Sequence, residues 1–332
     1  MIHIVKNNFL LTEYILKDLD SKDIYLHSMD EFVDISKSNS KRFFLRIYYR
    51  LIVFFLFPLY GILFFFKKNK RGCVIYYGID QFNLLALIFK KCLKYKKQSL
   101  WLWNPCSSIA RTTIELRIIF FIMKFIGIKI WTFDKGDASK FGLFYHHQIY
   151  SQKIVDKYDI NKEKPIYSGF FVGKNKGRID KIKIISETFI NSNLKFFHHI
   201  THDHINNCSD AVVKDCMLKD EDIAYSDYLD ILINSECIVE IIQKGQSGLT
   251  LRALESLFFG KKLITDNADI SCYDFYNKNN ILIIEKEMIT TRILTDFMQL
   301  PYVAISKEIK EKYTINSLIN ALAKWNDRDY MQ

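Results

Sequence analysis

The stretch GQSGLTLRALESLFFGKKLITDN, residues 245–267, combines the signals that limit the fold most. Glycines precede an apolar run with helical spacing, and Gly260 follows that run, which is typical of a helix end. The β-branched residues of KKLIT come next and predict a strand. Thr250, Arg252 and Glu255 interrupt the predicted helix with a hydroxyl, a cation and a carboxylate. Core packing does not require these side chains, so they mark a candidate site.

The same alternation of strands and helices extends over both halves of the chain. The first half has the strands MIHIV, DIYLHS, CVIYYGID, SLWLWNP and IKIWTFD, with FLLTEYILKDL, QFNLLALIFKKCLKY and RTTIELRIIFFIMKFIG as helices. The second half has the strands PIYSGFFVG, LKFFHHI, CIVEII, KKLITDN and NILIIE, with RIDKIKIISETFINS, YSDYLDILINS, TLRALESLFFG and the terminal TINSLINALAKWNDRDY as helices. This pattern predicts an α/β fold. Because 145–165 is polar, we expect two Rossmann-like domains that face a cleft, residues 1–150 and 151–332.

The composition is that of a folded protein. Of 332 residues, 49% are hydrophobic and 25% charged, and only 4 Pro and 12 Gly occur, which argues against a long disordered tract. The seven cysteines are scattered without a CxxC pair, as expected for reduced thiols inside a cell. The N-terminal residues lack the pattern of a signal peptide.

The net charge of +10 is concentrated in one region. Between Ile35 and Ile114 there are fifteen Lys and Arg and a single acid, Asp80. Such a region suits an anionic membrane surface, a phosphorylated substrate or nucleic acid. We expect no nucleic-acid partner, because the apolar run inside this region has no part in contacting phosphates or bases.

That apolar run lies within residues 43–71, where Leu51–Phe66 supplies sixteen uncharged, mostly apolar residues with basic flanks. A membrane-spanning helix needs about 20 such residues. The run therefore favours a segment that lies on the membrane surface, supported by the basic amphipathic residues 84–97. A buried core helix and a true span are the alternatives.

The residues before the predicted helix form a candidate anion site. The first N–H groups of a helix are unpaired, and its dipole is positive there. Gly245 and Gly248 allow close approach of a ligand, and the stretch also supplies Gln246, Ser247 and Thr250. A diphosphate suits this arrangement, whereas the carboxylate of Glu255 suits sugar or ribose hydroxyls. Arg252 either binds phosphate or pairs with Glu255, and an ordinary capped helix is the alternative to a site.

A second candidate anion site is the loop after the strand PIYSGFFVG. It places backbone freedom and positive charge together, in Gly173, Lys174, Lys176, Gly177 and Arg178. The spacing is not that of a Walker loop. A solvated basic turn is the alternative.

Two further stretches end strands of the first half. In WTFDKGDASKFG, Asp134 and Asp137 are candidates for a general base, although either can instead cap a helix. In WLWNPC, Asn104 is a candidate acceptor contact or simply a turn residue. The stretch FFHHITHDH, 196–204, is rich in histidine, but His198 and His199 point to opposite faces of a strand, so a polar strand end is favoured over a metal site.

These motifs together resemble GT-B glycosyltransferases. The likeness covers roughly residues 130–285 and is carried by WTFDKGDASKFGL, GFFVGKNKGR, GQSGLTLRALES and YDFYNKNNIL. It implies that Glu255 holds the ribose of a nucleotide sugar and that Lys174, Lys176 or Arg178 holds the diphosphate. It also implies no metal and no cofactor besides the nucleotide sugar, which is a substrate. Many retaining members have two Glu separated by seven residues, and Ser247 stands where the first would be.

More narrowly, the chain is similar to GT-B enzymes of bacterial lipopolysaccharide, capsule and exopolysaccharide synthesis. The expected activity is transfer of a sugar from a nucleotide to a lipid-linked or growing surface glycan. The expected location is the cytoplasmic face of an anionic membrane, with the first domain binding the acceptor. The alternatives are a GT-B-fold sugar-nucleotide epimerase and a non-catalytic, membrane-bound assembly factor.

Overall fold

The computed structural model describes residues 1–19, 22–28, 72–79, 95–109, 112–125, 127–158, 164–203, 217–243, 248–284 and 289–324. The chain divides into two compact units, one formed by Met1–Ser151 with Thr314–Gln332 and the other by Gln152–Tyr313. Each unit contains a six-stranded sheet in which every neighbouring pair is parallel. The predicted α/β fold with two Rossmann-like units is therefore confirmed.

The sheet of the first unit has the order β2-β1-β3-β4-β5-β6. The elements are β1 (Ile2–Lys6), α1 (Leu10–Leu16), β2 (Ile24–Ser28), β3 (Cys73–Tyr77), β4 (Lys97–Leu102), α2 (Cys106–Ile109), α3 (Thr113–Phe125), β5 (Ile128–Thr132), α4 (Lys135–Phe141) and β6 (Phe144–Tyr145). Strand β3 is buried at all five positions, as expected for a central parallel strand covered on both faces.

The sheet of the second unit has the order β12-β11-β10-β7-β8-β9. The elements are α5 (Gln152–Val155), β7 (Tyr167–Lys174), α6 (Ile179–Asn191), β8 (Phe196–Thr201), β9 (Leu218–Lys219), α7 (Tyr225–Ile233), β10 (Ser235–Glu240), α8 (Leu251–Phe259), β11 (Lys262–Thr265), a 3₁₀ turn (Ala268–Cys272), β12 (Ile281–Ile283), α9 (Thr291–Gln299) and α10 (Lys307–Glu311). When the strands are renumbered 1 to 6 in chain order within this unit, the sheet has the doubly wound order 3-2-1-4-5-6. The strand order, and not the strand direction, reverses between β7 and β10.

The last helix, α11 (Ile315–Lys324), belongs to the first unit and not to the second, where the sequence places it. Ile315, Leu318 and Leu322 are fully buried in the cluster that contains Ile4 and Trp101. Ser99 Oγ also donates a 2.8 Å hydrogen bond to the Leu322 carbonyl. The amphipathic spacing of α11 predicts a buried face, but spacing does not specify which of two sheets that face covers.

Residues 43–71, with Leu51–Phe66, and most of 84–97 lie outside the described residues, so the predicted surface segment stays a prediction. Within the described ranges, no helix combines the length and the apolar character needed to cross a membrane.

Candidate functional site

The second unit brings its candidate residues to the point where the strand order reverses. Strands β7 and β10 are parallel neighbours, so their carboxyl ends lie side by side. Helices that follow such neighbours leave toward opposite faces of the sheet and open a crevice between them, and ligands of doubly wound sheets bind there. Residues 173 and 174 end β7 and residues 175–178 follow it, whereas residues 241–250 connect β10 to α8 in the sequence.

Two arginines occupy this reversal point, and both lie against the Phe171 ring. The guanidinium carbon of Arg178 lies 5.3 Å and that of Arg252 5.0 Å from the ring centroid. Backbone carbonyls hold both groups: Arg178 Nη1 donates to the Ile241 carbonyl at 2.6 Å, and Arg252 Nη2 donates to the Val172 carbonyl. Carbonyls at the ends of both strands therefore fix the arginines. The ion pair between Arg252 and Glu255, which the sequence allows, is not what holds Arg252.

Asp203, Asp266 and Glu240 favour the charged form of Arg178, but none of them forms an ion pair with either arginine. Within the described part of the chain, neither guanidinium has a carboxylate oxygen within 4.0 Å. Burial, together with the charge of Arg252, lowers the pKa of Arg178 to about 10. Arg252 Nε is buried without a hydrogen-bond partner among the described residues. An anion that accepts hydrogen bonds here would relieve both the repulsion and the unpaired donor.

The last residue of β7 and the loop after it add two lysines beside the arginine pair. Lys174 lies 3.7 Å from an Asp222 oxygen, in a partly exposed ion pair. The Lys176 backbone N–H donates to both oxygens of Asp203 at 2.9 Å, which holds the loop against the end of β8. Burial and the nearby Arg178 lower the pKa of the Lys176 ammonium. Four cations thus gather at one strand end, three of them from the basic stretch 173–178 and the fourth, Arg252, from α8.

Gly173 leaves space for this arrangement. A Cβ atom at this position would lie 2.4 Å from Arg252 Nη2. The close approach of guanidinium and backbone therefore depends on the missing side chain.

The start of α8 is capped as the sequence pattern suggests. Thr250 Oγ1 accepts hydrogen bonds from the backbone N–H groups of Arg252 and Ala253. Gly260 ends the helix in the left-handed conformation, at φ 64°. Gly248 is buried, and Gln246 and Ser247 lie outside the described residues. The predicted anion site at this helix start is described only from Gly248 onward.

Glu240 is a buried carboxyl at this edge that the sequence reasoning does not identify. It ends β10, is fully buried, and accepts hydrogen bonds from the hydroxyls of Thr250 and Thr265. Burial raises the pKa of its carboxyl, although the two hydroxyls favour the charged form. Glu240 therefore ties the cap of α8 to the end of β11. A single acid in the apolar run CIVEII is the signal that could have indicated it.

Glu255 is more deeply buried than is expected of a residue that contacts a ribose. Its side chain is 2% exposed, and both oxygens accept hydrogen bonds from tyrosines of α7. Tyr228 donates to Oε2, and the bond from Tyr225 to Oε1 is 3.4 Å long. Burial raises the pKa of Glu255 to about 7. Of the two oxygens, Oε1 is the more weakly held.

The first unit places the two candidate bases at the carboxyl end of β5. Asp134 is 2% exposed and caps α4, because its Oδ1 accepts the Asp137 N–H at 2.9 Å. Asp137 Oδ2 accepts the Cys106 N–H at 2.7 Å. Burial, more than the neighbouring Asp134, raises the pKa of Asp137. The alternative role as a cap thus applies to Asp134, and Asp137 is a part-buried carboxyl with a raised pKa.

Asn104 lies near these acids in the first unit. It follows β4, the parallel neighbour of β5, and is half-buried. Asn104 therefore lies at the same edge of the sheet as Asp134.

The histidines of 196–204 occupy β8 and the residues after it. His199 Nε2 contacts the Glu221 carbonyl at 2.8 Å, and His202 Nε2 lies 3.8 Å from an Asp220 oxygen. His204 lies outside the described residues. Among the residues described, no group of three His, Cys, Asp or Glu side chains is arranged to hold a metal ion.

Comparison with known proteins gives likenesses of fold. No family model and no curated protein matches the chain. TarM matches with a TM-score of 0.48 and 11% identity over 79% of this chain, which spans only 58% of the length of TarM. AviGT4, a glycosyltransferase involved in avilamycin A biosynthesis, matches with a TM-score of 0.48 and 7% identity over 76% of this chain and 86% of AviGT4.

An epimerase of nucleotide sugars gives a similar likeness. UDP-GlcNAc 2-epimerase from Neisseria meningitidis, bound to UDP-GlcNAc, matches with a TM-score of 0.46 and 13% identity over 97% of both chains. All three TM-scores are below 0.5, so none of these likenesses decides what this chain does. Its function has to be inferred from its own residues.

Proposed function

We propose that this chain is a GT-B-type glycosyltransferase that moves a sugar from a nucleotide to a lipid-linked or growing surface glycan, such as lipopolysaccharide, capsule or exopolysaccharide. The observation that carries the proposal is the pair Arg178 and Arg252 at the reversal point of the second sheet, without a carboxylate partner among the described residues. Positive charge fixed at this point suits the diphosphate of a nucleotide sugar.

In the proposed donor site, cations bind the diphosphate of the nucleotide sugar and a carboxylate binds its ribose. Arg178, Arg252, Lys174 and Lys176 bind the diphosphate, and the start of α8, with Gln246, Ser247, Gly248 and Thr250, adds donors. These cations also stabilise the charge that develops on the leaving nucleoside diphosphate, so the proposed reaction needs no metal. Glu255 accepts a ribose hydroxyl at Oε1, in place of the long bond from Tyr225.

The proposed acceptor side lies in the first unit. Asp137 takes the proton of the acceptor hydroxyl while that oxygen forms its bond to the sugar and the bond from sugar to diphosphate breaks. Asn104 contacts the acceptor. The basic, apolar region 43–71 keeps the protein at the cytoplasmic face of an anionic membrane, where a lipid-linked acceptor is found.

The decisive experiment measures binding of nucleoside diphosphates, nucleotide sugars and inorganic pyrophosphate to wild type and Arg252→Gln. Loss of charge-assisted hydrogen bonds should weaken binding of all three ligand classes by about 10- to 100-fold. Arg292→Gln is the matched control, because Arg292 is 91% exposed and pairs with Asp296 at the surface. Unfolding of each variant without ligand shows whether Arg252→Gln alters the fold itself.

The same panel tests the ribose contact. Glu255→Gln should weaken nucleoside diphosphates but leave pyrophosphate binding unchanged, because pyrophosphate has no ribose. A wild-type protein that binds no nucleotide would remove the proposal and favour a non-catalytic factor. A protein that isomerises its nucleotide sugar without any acceptor would identify an epimerase instead.

A further inference from the structure

Helix α3 of the first unit exposes an unbroken apolar stripe. Ile114, Ile118, Phe121 and Phe125 are 71%, 55%, 63% and 49% exposed. Their spacing of four, three and four residues places them on one line along the helix. The opposite face is apolar as well, because Leu116, Ile119, Phe120 and Met123 are buried in the core. The helix therefore presents hydrophobic side chains both to its own sheet and to the outside.

This pattern differs from that of an ordinary surface helix, whose outward face is polar. Single exposed apolar residues are common, but a contiguous patch marks a surface that contacts another apolar phase. The rings of Phe121 and Phe125 stack with centroids 6.4 Å apart, which joins them into one apolar surface. A contact surface is the simplest physical reason for keeping four large apolar side chains in this row.

Basic side chains line one flank of the stripe. Arg117 and Lys124 lie on that flank by their helical positions. Lys124 Nζ donates to the carbonyls of Phe141 and Gly142 at 2.8 Å, which brings the exposed Lys140 of α4 beside the same flank. The other flank carries the single acid of the helix, Glu115. An apolar stripe next to a row of cations is complementary to a bilayer with anionic headgroups.

We infer that the outward face of α3 docks onto an anionic lipid bilayer, with the helix lying in the plane of the interface. Its 13 residues extend about 20 Å, which is too short to cross the hydrocarbon core but sufficient to insert four side chains at its edge. This surface is separate from residues 43–71. It belongs to the first unit, so the inference does not depend on the donor site of the second.

The test uses full-length protein and vesicles of phosphatidylglycerol and phosphatidylcholine. The double variant Ile118→Glu/Phe121→Glu should bind these vesicles at least about tenfold more weakly than wild type. The matched control is Ile190→Glu/Ile293→Glu, which replaces two exposed isoleucines, at 62% and 47% exposure, on separate helices of the second unit. This control adds the same charge and should bind vesicles as wild type does. Nucleotide binding of both variants shows that the second unit, and with it the proposed donor site, is intact.

A second measurement locates the contact. Brominated lipids should quench the additional fluorescence of Phe121→Trp and leave that of Ile190→Trp unchanged. Wild-type protein that ignores the vesicles, or equal binding by the α3 variant and its control, would overturn the inference. A dimer in sedimentation velocity that the α3 variant abolishes without any effect on vesicle binding would also overturn it, because the stripe would then join two copies of the chain.

Discussion

At the residue scale, the ionisation of Glu255 is linked to folding of the second unit. Its carboxyl is buried between α8 and the tyrosines of α7, and burial raises its pKa from the ordinary 4.5 to about 7. Between these two values the folded chain holds a proton that the unfolded chain has released. The contribution of Glu255 to the free energy of unfolding therefore falls as the pH rises through this window and is constant above it.

We expect Glu255→Gln to remove this pH dependence. The stability of wild type relative to the variant should fall by up to about 3 kcal/mol between pH 4.5 and pH 8. Urea unfolding of both proteins at several pH values in this range measures the difference. Glu240 shifts in the same direction in both proteins, so the comparison isolates Glu255. Parallel stability curves would show that Glu255 does not titrate in this window.

The residues also show what a sequence can predict about a site. The positions of Lys174, Lys176, Arg178 and Arg252 were predictable, because a basic loop after a strand and a polar position early in a helix both lie at the carboxyl edge of a parallel sheet. Their binding of a nucleotide sugar stays a prediction. The role of Glu240 was not, because it depends on two threonine hydroxyls that come from 10 and 25 residues away. Such a pairing requires the register of β10 and β11, which the sequence alone does not provide.

At the element scale, helix α4 gives Asp134 and Asp137 different roles, whereas the motif WTFDKGDASKFG leaves both as candidates for a general base or a helix cap. Asp134 caps the helix and is nearly inaccessible, whereas Asp137 lies in its first turn with a raised pKa. We expect Asp134→Ala to cost about 1 kcal/mol of stability. Asp137→Asn should instead lower turnover by about 10²–10⁴-fold and leave nucleotide affinity unchanged, since the base contacts only the acceptor.

Turnover, nucleotide affinity and thermal unfolding, measured for both variants, separate these roles. Ser306→Ala is the control for loss of a cap, because Ser306 caps α10 of the second unit. Near-wild-type turnover of Asp137→Asn would assign the proton transfer to another group.

Most elements of the two sheets were predicted, but the two-residue strands and the nine-residue helix α9 were not. The patterns for α3, α6, α8 and their neighbouring strands correspond to observed elements, because each has several turns or residues of consistent periodicity. Strands β6 and β9 have only two residues each, and they form because a parallel neighbour is already in place. No period can be recognised in two residues.

At the scale of the whole molecule, the first unit depends on the end of the described chain. Leu318 of α11 is fully buried against this unit. We expect Leu318→Ala to destabilise the first unit by about 2–5 kcal/mol. Amide hydrogen exchange should then be faster in β3 and β4 but unchanged in β7. Equal acceleration in β7 would mean that the two units unfold together.

The position of α11 also determines the order in which the chain folds on the ribosome. Synthesis completes residues 152–313 before residues 315–324, so the second unit has its whole sequence before the first has its last helix. Until then, Ile4, Trp101 and Trp131 lack the helix that covers them. The N-terminal half of this chain should therefore be the later one to reach its native state during translation, and the one that most needs a chaperone before release.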